Sequence, residues 1–358
     1  MHDESCETEN KPILIIPAAG KSSRYPNMKP KWMLTHPSGA LMIEKVVGGI
    51  DTDAYADVYI VVLQEHCDKH EADVVLKQAF PSTKFKVVVL QSPTASSPET
   101  VYRCIQSAKL NGWIVVKDCD CLVSYDIPKD IKRFVVGTTV KNQTVRNLAQ
   151  KSFIVDDENR VIKEVIEKRV VSDRICVGVY AMHTEDLVRS YNKLSVFMSD
   201  ELYFSHIVSD MIDGESRSFL SVDAKQYEDW GTKEDWFSAS NLKNTYFLDI
   251  DGVLLKNTGK YGSKNWYNTI EPIDENVSVI KKLSDDGHEI IFVTSRDADA
   301  LPSVEKFLKT KGIKYKTIVP ECFHSKRIIV NDFANTNPFP SCIAINIPRN
   351  GSIDPYIQ

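Results

Sequence analysis

Phe247-Leu248-Asp249-Ile250-Asp251-Gly252-Val253-Leu254 reads as a buried strand that runs straight into a sharp catalytic turn. Two carboxylates two residues apart can divide the labour of a reaction, Asp249 as nucleophile and Asp251 as acid and base. Gly252 permits the abrupt exit from the strand. A calcium loop does not fit, because Val253-Leu254-Leu255 offers no side-chain oxygen where an EF-hand needs several.

The residues after this turn spell a complete small domain over 244–358. Apolar strands are expected at Tyr246–Ile250, Glu289–Val293, Tyr315–Val319, Ile328–Val330 and Ile343–Ile345. Helices at Asn276–Asp285 and Leu301–Lys311 fit between them, which predicts a doubly wound α/β unit. Thr294 follows the second strand, Lys326 precedes the fourth, and Asp332 follows it. The stretch between Gly252 and Asn276, including Lys256–Trp266, is too short for a large cap.

Working back towards the N-terminus, residues 12–240 read as another α/β domain, with 1–11 as a polar, disordered tail. Short apolar runs at Ile13–Ile16, Val58–Leu63, Phe85–Leu90, Trp113–Lys117 and Arg133–Thr139 suit a mostly parallel sheet. Candidate helices lie at Leu41–Gly48, His70–Ala79 and Pro98–Leu110. Shorter pieces follow: strands at Phe153–Val155, Val161–Glu164, Cys176–Met182 and Phe219–Val222, and a helix at Tyr203–Met211. The domains are joined near Ser238–Asn244 without a flexible linker.

Whole-chain composition excludes several function classes. At 358 residues the chain is long enough for two hydrophobic cores. Lys and Arg number 44 against 49 Asp and Glu, with the signs interspersed, so no basic patch for nucleic acid or an anionic membrane is visible. No apolar run approaches the roughly 18 residues of a membrane span. Met1–Lys11 lacks the pattern of a signal peptide. The eight cysteines include no CxxC pair and read as reduced, mostly buried thiols of a cytoplasmic protein, not as a zinc site.

Several segments of the first domain carry chemistry. Ala18-Ala19-Gly20-Lys21-Ser22-Ser23-Arg24 follows a strand directly; its small residues let backbone N–H groups approach a polyphosphate, and Lys21 and Arg24 add positive charge. It is neither a Walker loop nor GxGxxG. Lys29-Pro30-Lys31 can clamp phosphoryl oxygens, although Trp32, Met33 and Leu34 beside it suit a core. Asp118 and Asp120 lie at the C-terminal end of a strand, where doubly wound folds put ligands, and can share a Mg²⁺ with a phosphate. Asp229-Trp230-Gly231-Thr232 offers a distant carboxylate on a tight turn.

With Glu167-Lys168, these motifs occur in the order found in sugar-phosphate nucleotidyltransferases, which the chain resembles over residues 12–240. The resemblance implies a Rossmann-like mixed sheet of the nucleotide-diphospho-sugar-transferase type. It implies that Ala18, Ala19, Gly20, Lys21, Ser22 and Arg24 bind a nucleoside triphosphate, that Lys31 touches the reacting phosphates, and that Asp120 and Asp229, helped by Asp118, bind Mg²⁺. Glu167 and Lys168 would hold the phosphorylated acceptor, and Ser97 falls in the base-proximal segment Gln91–Thr100. Two departures leave the base open: the loop is not Gly-x-Gly-Thr-Arg, and Gln91–Thr100 lacks the usual glycine.

The C-terminal motifs resemble those of haloacid-dehalogenase-like phosphatases with a minimal cap. There Asp249 would be phosphorylated, Asp251 would protonate the leaving group and activate water, Thr294 and Lys326 would bind the phosphoryl group, and Asp332 would complete a second Mg²⁺ site with Asp249 and the backbone carbonyl of Asp251. Together the resemblances imply a bifunctional enzyme of activated-sugar or surface-glycan precursor synthesis, including capsule polysaccharide. Its partners would be a nucleoside triphosphate and a sugar or polyol phosphate, with a homo-oligomer left open. Two other readings are a nucleotide-sugar-dependent glycosyltransferase fused to a phosphatase, and a chain in which one domain is a non-catalytic module.

Overall fold

Ile13–Pro17 forms β1, an inner strand of the first sheet, and everything from Leu14 to Pro17 is buried. Leu14 and Ile16 face one core with Val58, Ile60 and Val62, while Ile15 faces a second with Val61, Leu63 and Val116. A strand covered on both faces needs an unbroken apolar run, and each fully buried aliphatic side chain contributes about 1.5–3 kcal/mol. The structure is a computed structural model that describes residues 11–357 apart from 23, 26–27, 129–131, 142–146, 199–200, 242–243, 258–269 and 333–341. The expected tail up to residue 10, Cys6, and most of the loop Lys256–Trp266 lie outside the described residues.

The chain divides into two units, Met1–Trp236 and Phe237–Gln358. The first unit opens β1, α1 (Met42–Gly48), β2 (Val58–Leu63), α2 (Gln64–His70), α3 (Ala72–Ala79), β3 (Phe85–Leu90), α4 (Ser97–Ala108) and β4 (Trp113–Lys117). It continues with β5 (Cys121–Ser124), β6 (Phe134–Thr139), β7 (Ser152–Asp156), β8 (Ile162–Glu167) and β9 (Arg174–His183). It closes with α5 (Thr184–Phe197), α6 (Phe204–Glu215), β10 (Leu220–Asp223), β11 (Gln226–Asp229) and α7 (Lys233–Asn241), which runs across the division.

The main sheet has the order β10-β6-β9-β4-β1-β2-β3, with β7 pairing β8 and β9. Strands β4, β1, β2 and β3 are mutually parallel, and β9 runs antiparallel to both β4 and β6, so the sheet is mixed. A separate antiparallel pair, β5 with β11, stands outside it. The helix expected over His70–Ala79 is α3, Ala72–Ala79, and a further helix, α2, precedes it, separated at Glu71, whose φ of 50° lies in the left-handed region. Gln64–His70 has no helical apolar period to announce it, and it is capped from its own third residue, His66.

The second unit contains β12 (Thr245–Asp249), α8 (Asp274–Asp285), β13 (Glu289–Val293), α9 (Leu301–Lys311) and β14 (Thr317–Val319). Here the expected doubly wound architecture is corrected. The described sheet has three parallel strands in the order β12-β13-β14, and the expected strands Ile328–Val330 and Ile343–Ile345 form no strand and join no described sheet. Their side chains are exposed, Val330 by 91% and Ile343 by 75%. A run of three β-branched residues becomes a strand only when an edge and a register receive it, and neither run pairs with β12 or β14. Two right-handed crossovers in one direction put α8 and α9 on the same face of the sheet. Accordingly Leu248, Ile290 and Phe292 are buried with Val277, Ile280, Val304 and Leu308, while Phe247 on the other face is 55% exposed.

Seven described cysteines are free thiols: Cys104, Cys119, Cys121 and Cys176 buried, Cys67 and Cys322 half-buried, and Cys342 exposed. Among the described residues no helix is long and apolar enough to cross a membrane.

Candidate functional site

Strand β4 ends at Lys117, on the rim where its parallel neighbours β1 and β2 also end. The chain turns through Asp118, Cys119 and Asp120 into β5. Lys117 holds that turn from beneath. It is fully buried, and its Nζ donates to the carbonyls of Asp118 at 2.8 Å and Cys121 at 2.7 Å and to Cys121 Sγ at 2.9 Å. A buried ammonium is costly unless its donors are satisfied, and all three are.

The β5–β11 ladder then brings a distant carboxylate to the same place. Asp229 lies opposite Cys121, and Trp230 N donates to the Asp120 carbonyl at 2.9 Å. A methyl group added at Gly231 would lie 3.1 Å from Asp229 Oδ1 and 3.7 Å from both Asp120 Oδ2 and Arg24 Nη1. Two carboxylates and a guanidinium therefore converge on one point. Lys31 joins them through Nζ, 2.5 Å from Asp120 Oδ2. The Tyr25 hydroxyl ties the Arg24 loop to this turn through the carbonyls of Trp230 and, at 2.8 Å, Thr232.

The charges are strongly polarised. Burial works to raise the Asp120 carboxyl, but the charges of Lys31, Lys117 and Arg24 hold it below the usual carboxylate range. Asp118 goes the other way: burial pushes it up, and the neighbouring Asp120 charge adds to the effect. For Lys31, burial acts downward, yet the charge and hydrogen bond of Asp120 raise the ammonium above its ordinary value.

The phosphate loop has a more selective geometry than its sequence suggests. The Ala18 N–H is taken by the Val61 carbonyl at 2.8 Å, so it continues the strand and does not face a ligand. Ala19 is fully buried, Gly20 and Lys21 are exposed, and the space beside Gly20 is open. Ser22 adopts a left-handed φ of 48° and accepts from Lys31 N at 3.4 Å, fastening the loop to the lysine segment. Ser23 lies outside the described residues. Ser97 opens α4 with its buried Oγ lacking a hydrogen-bond partner, while Ser96 caps the helix by accepting from Glu99 N at 3.3 Å.

Glu167 ends β8 and accepts from the hydroxyls of Ser152 and, at 2.6 Å, Ser205. Lys168 follows with φ of 54°, and its Nζ donates to Tyr203 Oη at 2.6 Å. Lys168 N donates to the Lys151 carbonyl at 3.0 Å, and the Lys151 ammonium pairs with Asp229. Sequence reasoning missed Lys117 and Lys151. A lysine closing an apolar strand was the only signal for the first, and nothing in the sequence around Lys151 singles it out.

In the second unit Asp249 and Val293 are register partners at the ends of β12 and β13, so Asp249 and Thr294 share a rim. Thr294 is fully buried, and its Oγ1 accepts from Arg296 N at 3.1 Å. The completely buried Arg296 grips Asp251 bidentately, at 2.9 Å from Nε and 2.7 Å from Nη2. Burial pushes the Asp249 carboxyl up, and the basic groups that act against this are Arg327 and His324. Arg327, next to the expected Lys326, donates to Ser295 Oγ at 3.2 Å just beyond the end of β13, and its charge reaches Asp249. Lys326 and Asp332 are exposed. Without a strand at Ile328–Val330, no sheet register fixes either of them at the rim.

Among the described residues no group of three or more Asp, Glu, His or Cys side chains could by itself hold a metal ion. Mg²⁺ does not demand one, since one or two carboxylates with substrate phosphates and water commonly suffice. Asp120 and Asp229, both directed at the Gly231 turn, fit that donor set. In the second unit both Asp251 carboxylate oxygens are engaged by Arg296, which leaves Asp249 and the Asp251 backbone carbonyl as the donors at this rim.

No family model and no curated protein matches the chain. Solved structures do. A nucleoside-diphosphate-sugar pyrophosphorylase from Vibrio cholerae RC9 aligns with 64% of this chain and 99% of its own, at a TM-score of 0.55 and 18% identity. The inositol-1-phosphate CTP transferase from T. maritima aligns with 63% of this chain and 91% of its own, at 0.53 and 13%. A UDP-glucose pyrophosphorylase complexed with UDP-glucose aligns with 64% and 97%, at 0.50 and 18%. At such identities the likeness is one of fold: a mixed α/β domain of the nucleotide-sugar pyrophosphorylase kind. The share covered is close to that of the first unit, and these alignments leave a share close to the second unit's uncovered.

Proposed function

We propose that the first unit transfers a nucleotidyl group from a nucleoside triphosphate to a sugar or polyol phosphate, releasing pyrophosphate, and that the second hydrolyses a phosphomonoester. The convergence of Arg24, Lys31, Asp120 and Asp229 about Gly231 carries the first half. Two cations beside two carboxylates form the set that a triphosphate arriving with a divalent cation requires. The likeness of fold to nucleotide-sugar pyrophosphorylases supports the same reading.

In this reading Arg24 and the open edge at Gly20 receive the β- and γ-phosphates, and Lys31 faces the α-phosphate. A phosphate oxygen of the acceptor attacks the α-phosphorus in line while the bond to pyrophosphate breaks. No general base is needed, because the acceptor phosphate is already ionised. Mg²⁺ bound by Asp120 and Asp229 would supply charge neutralisation at the transferring group. Glu167 and Lys168 orient the acceptor.

Support for the second activity is narrower: Asp249, Asp251 and Thr294 at one rim of a parallel sheet, with Arg327 bonded to Ser295 just beyond the end of β13. Asp249 would attack phosphorus, Asp251 would give its proton to the leaving oxygen, and water would then hydrolyse the aspartyl phosphate. Arg296 holds both Asp251 oxygens in this structure, so Asp251 would take up and give a proton only once that ion pair opens. Mg²⁺ at Asp249 and Asp332 belongs to the same proposal.

A matrix of nucleoside triphosphates against phosphorylated acceptors, read for pyrophosphate and phosphate, tests both halves. Asp120→Asn and Asp229→Asn should each lower pyrophosphate release by at least about a hundredfold. Pyrophosphate from no pair in the matrix, or undiminished release by Asp120→Asn, would sink the first half. Phosphate release that Asp249→Asn leaves intact would sink the second.

A further inference from the structure

Lys151 has no part in the reaction as written above, yet its ammonium is held inside the site. The Lys151 and Asp229 side chains are only 16% and 9% exposed, and they form an ion pair. Lys31 does the same for Asp120. Each of the two carboxylates that would bind a divalent cation is therefore already neutralised by an ammonium of the protein. A divalent cation can take Asp229 only if Lys151 leaves it. An ammonium expelled from a poorly solvated carboxylate needs another anion, and a bare one is costly. The anions that arrive with the cation are substrate phosphates.

The backbone says which phosphate. Lys168 N donates to the Lys151 carbonyl at 3.0 Å, so the Lys151 backbone adjoins the Glu167–Lys168 pair while its ammonium reaches Asp229. Its charge also reaches Asp118. One residue thus bridges the acceptor pair and the carboxylate turn.

We propose that Lys151 is a second phosphate-binding lysine, stored on Asp229 in the resting protein and transferred to the acceptor's phosphate when a divalent cation occupies Asp229. The proposal rests on reading the first unit as a nucleotidyltransferase. The exchange makes cation and phosphate binding mutually dependent, since each removes the obstacle to the other. A cation alone must break the pair and strand Lys151. A cation with phosphate breaks it and gives Lys151 a partner. A merely structural pair would add to stability and leave this linkage flat.

The test is Mn²⁺ binding to the full chain carrying Asp249→Asn, which silences the second unit's proposed cation site and is the reference called wild type below, followed by electron paramagnetic resonance, with and without inorganic phosphate as the probe. The wild type should bind Mn²⁺ weakly alone and more tightly with phosphate. Lys151→Met should bind Mn²⁺ alone at least about tenfold more tightly, because a competing charge is gone. Its affinity should no longer respond to phosphate, and Lys151→Arg should restore the response. Unchanged Mn²⁺ affinity in a Lys151→Met protein with a normal thermal melt overturns the proposal, as does a full phosphate response in that variant. If Lys151→Met does not fold, Lys151→Gln, which can still hydrogen-bond Asp229, is judged by the same two outcomes. Asp229→Asn separates this failure from the larger one. If it binds Mn²⁺ like the wild type, the cation does not use Asp229 and the reading of the first unit falls too.

Discussion

Gly178 shows how one residue conditions the site without carrying any chemistry. Its φ is +75°, and an added Cβ would stand 2.4 Å from Asp118 Oδ2 and 2.9 Å from Asp118 Cβ and Cγ. Asp118 N donates to the Gly178 carbonyl at 2.8 Å, which locks the two together. The carboxylate turn therefore packs against β9 only because β9 has no side chain there. Gly178→Ala should cost about 1–3 kcal/mol from crowding, with strain of the left-handed backbone added. A thermal melt should show the loss, and an unchanged midpoint would contradict this account. Asp118, Asp120, Asp229, Arg24 and Lys31 could be named from sequence because charged residues at strand ends and tight turns are visible in one dimension. Gly178 and Lys151 could not, because their meaning lies in a partner across the sheet or beyond a loop.

At the scale of elements, the junction of β2 and α2 depends on a neutral histidine. His66 Nδ1 faces Leu63 N and Trp32 Nε1, each a donor at 3.4 Å. Burial pushes the imidazole from its ordinary 6.5 down to about 4. Between those values the unfolded chain binds a proton that the folded chain excludes, so stability is complete above the upper value and falls as pH drops towards the lower. The shift sets a ceiling of about 3 kcal/mol, of which about 1–2 kcal/mol is expected between pH 7 and pH 4.5. Denaturant unfolding at pH 7 and pH 4.5 should show wild type losing that much more than His66→Gln; equal losses would remove His66 as the cause. Strands β1, β2 and β4 were legible because both faces are buried and the run is unbroken. The break at Glu71 and the unpaired Ile328–Val330 were not, since a backbone reversal and a strand pairing depend on neighbours that propensity does not name.

At the scale of the whole molecule, the two candidate sites are built from residues of different units. Asp249→Asn should therefore leave pyrophosphate release within about twofold of wild type, and Asp120→Asn should do the same for phosphate release. A double variant in which the effects fail to add would reveal coupling that this division does not predict.

The sequence by itself determined that two α/β units follow one another, which strands are buried on both faces, and which carboxylates stand at strand ends. Those are properties of short range, written in runs of apolar residues and the turns that end them. Only the tertiary structure decided that β5 and β11 pair and so bring Asp120 to Asp229. It alone decided that Lys31 and Lys151 neutralise those carboxylates, and that the second sheet keeps three described strands with one face open. Each is a matter of long-range pairing, where an edge must meet an edge or a charge its counter-charge, and a linear pattern does not specify which.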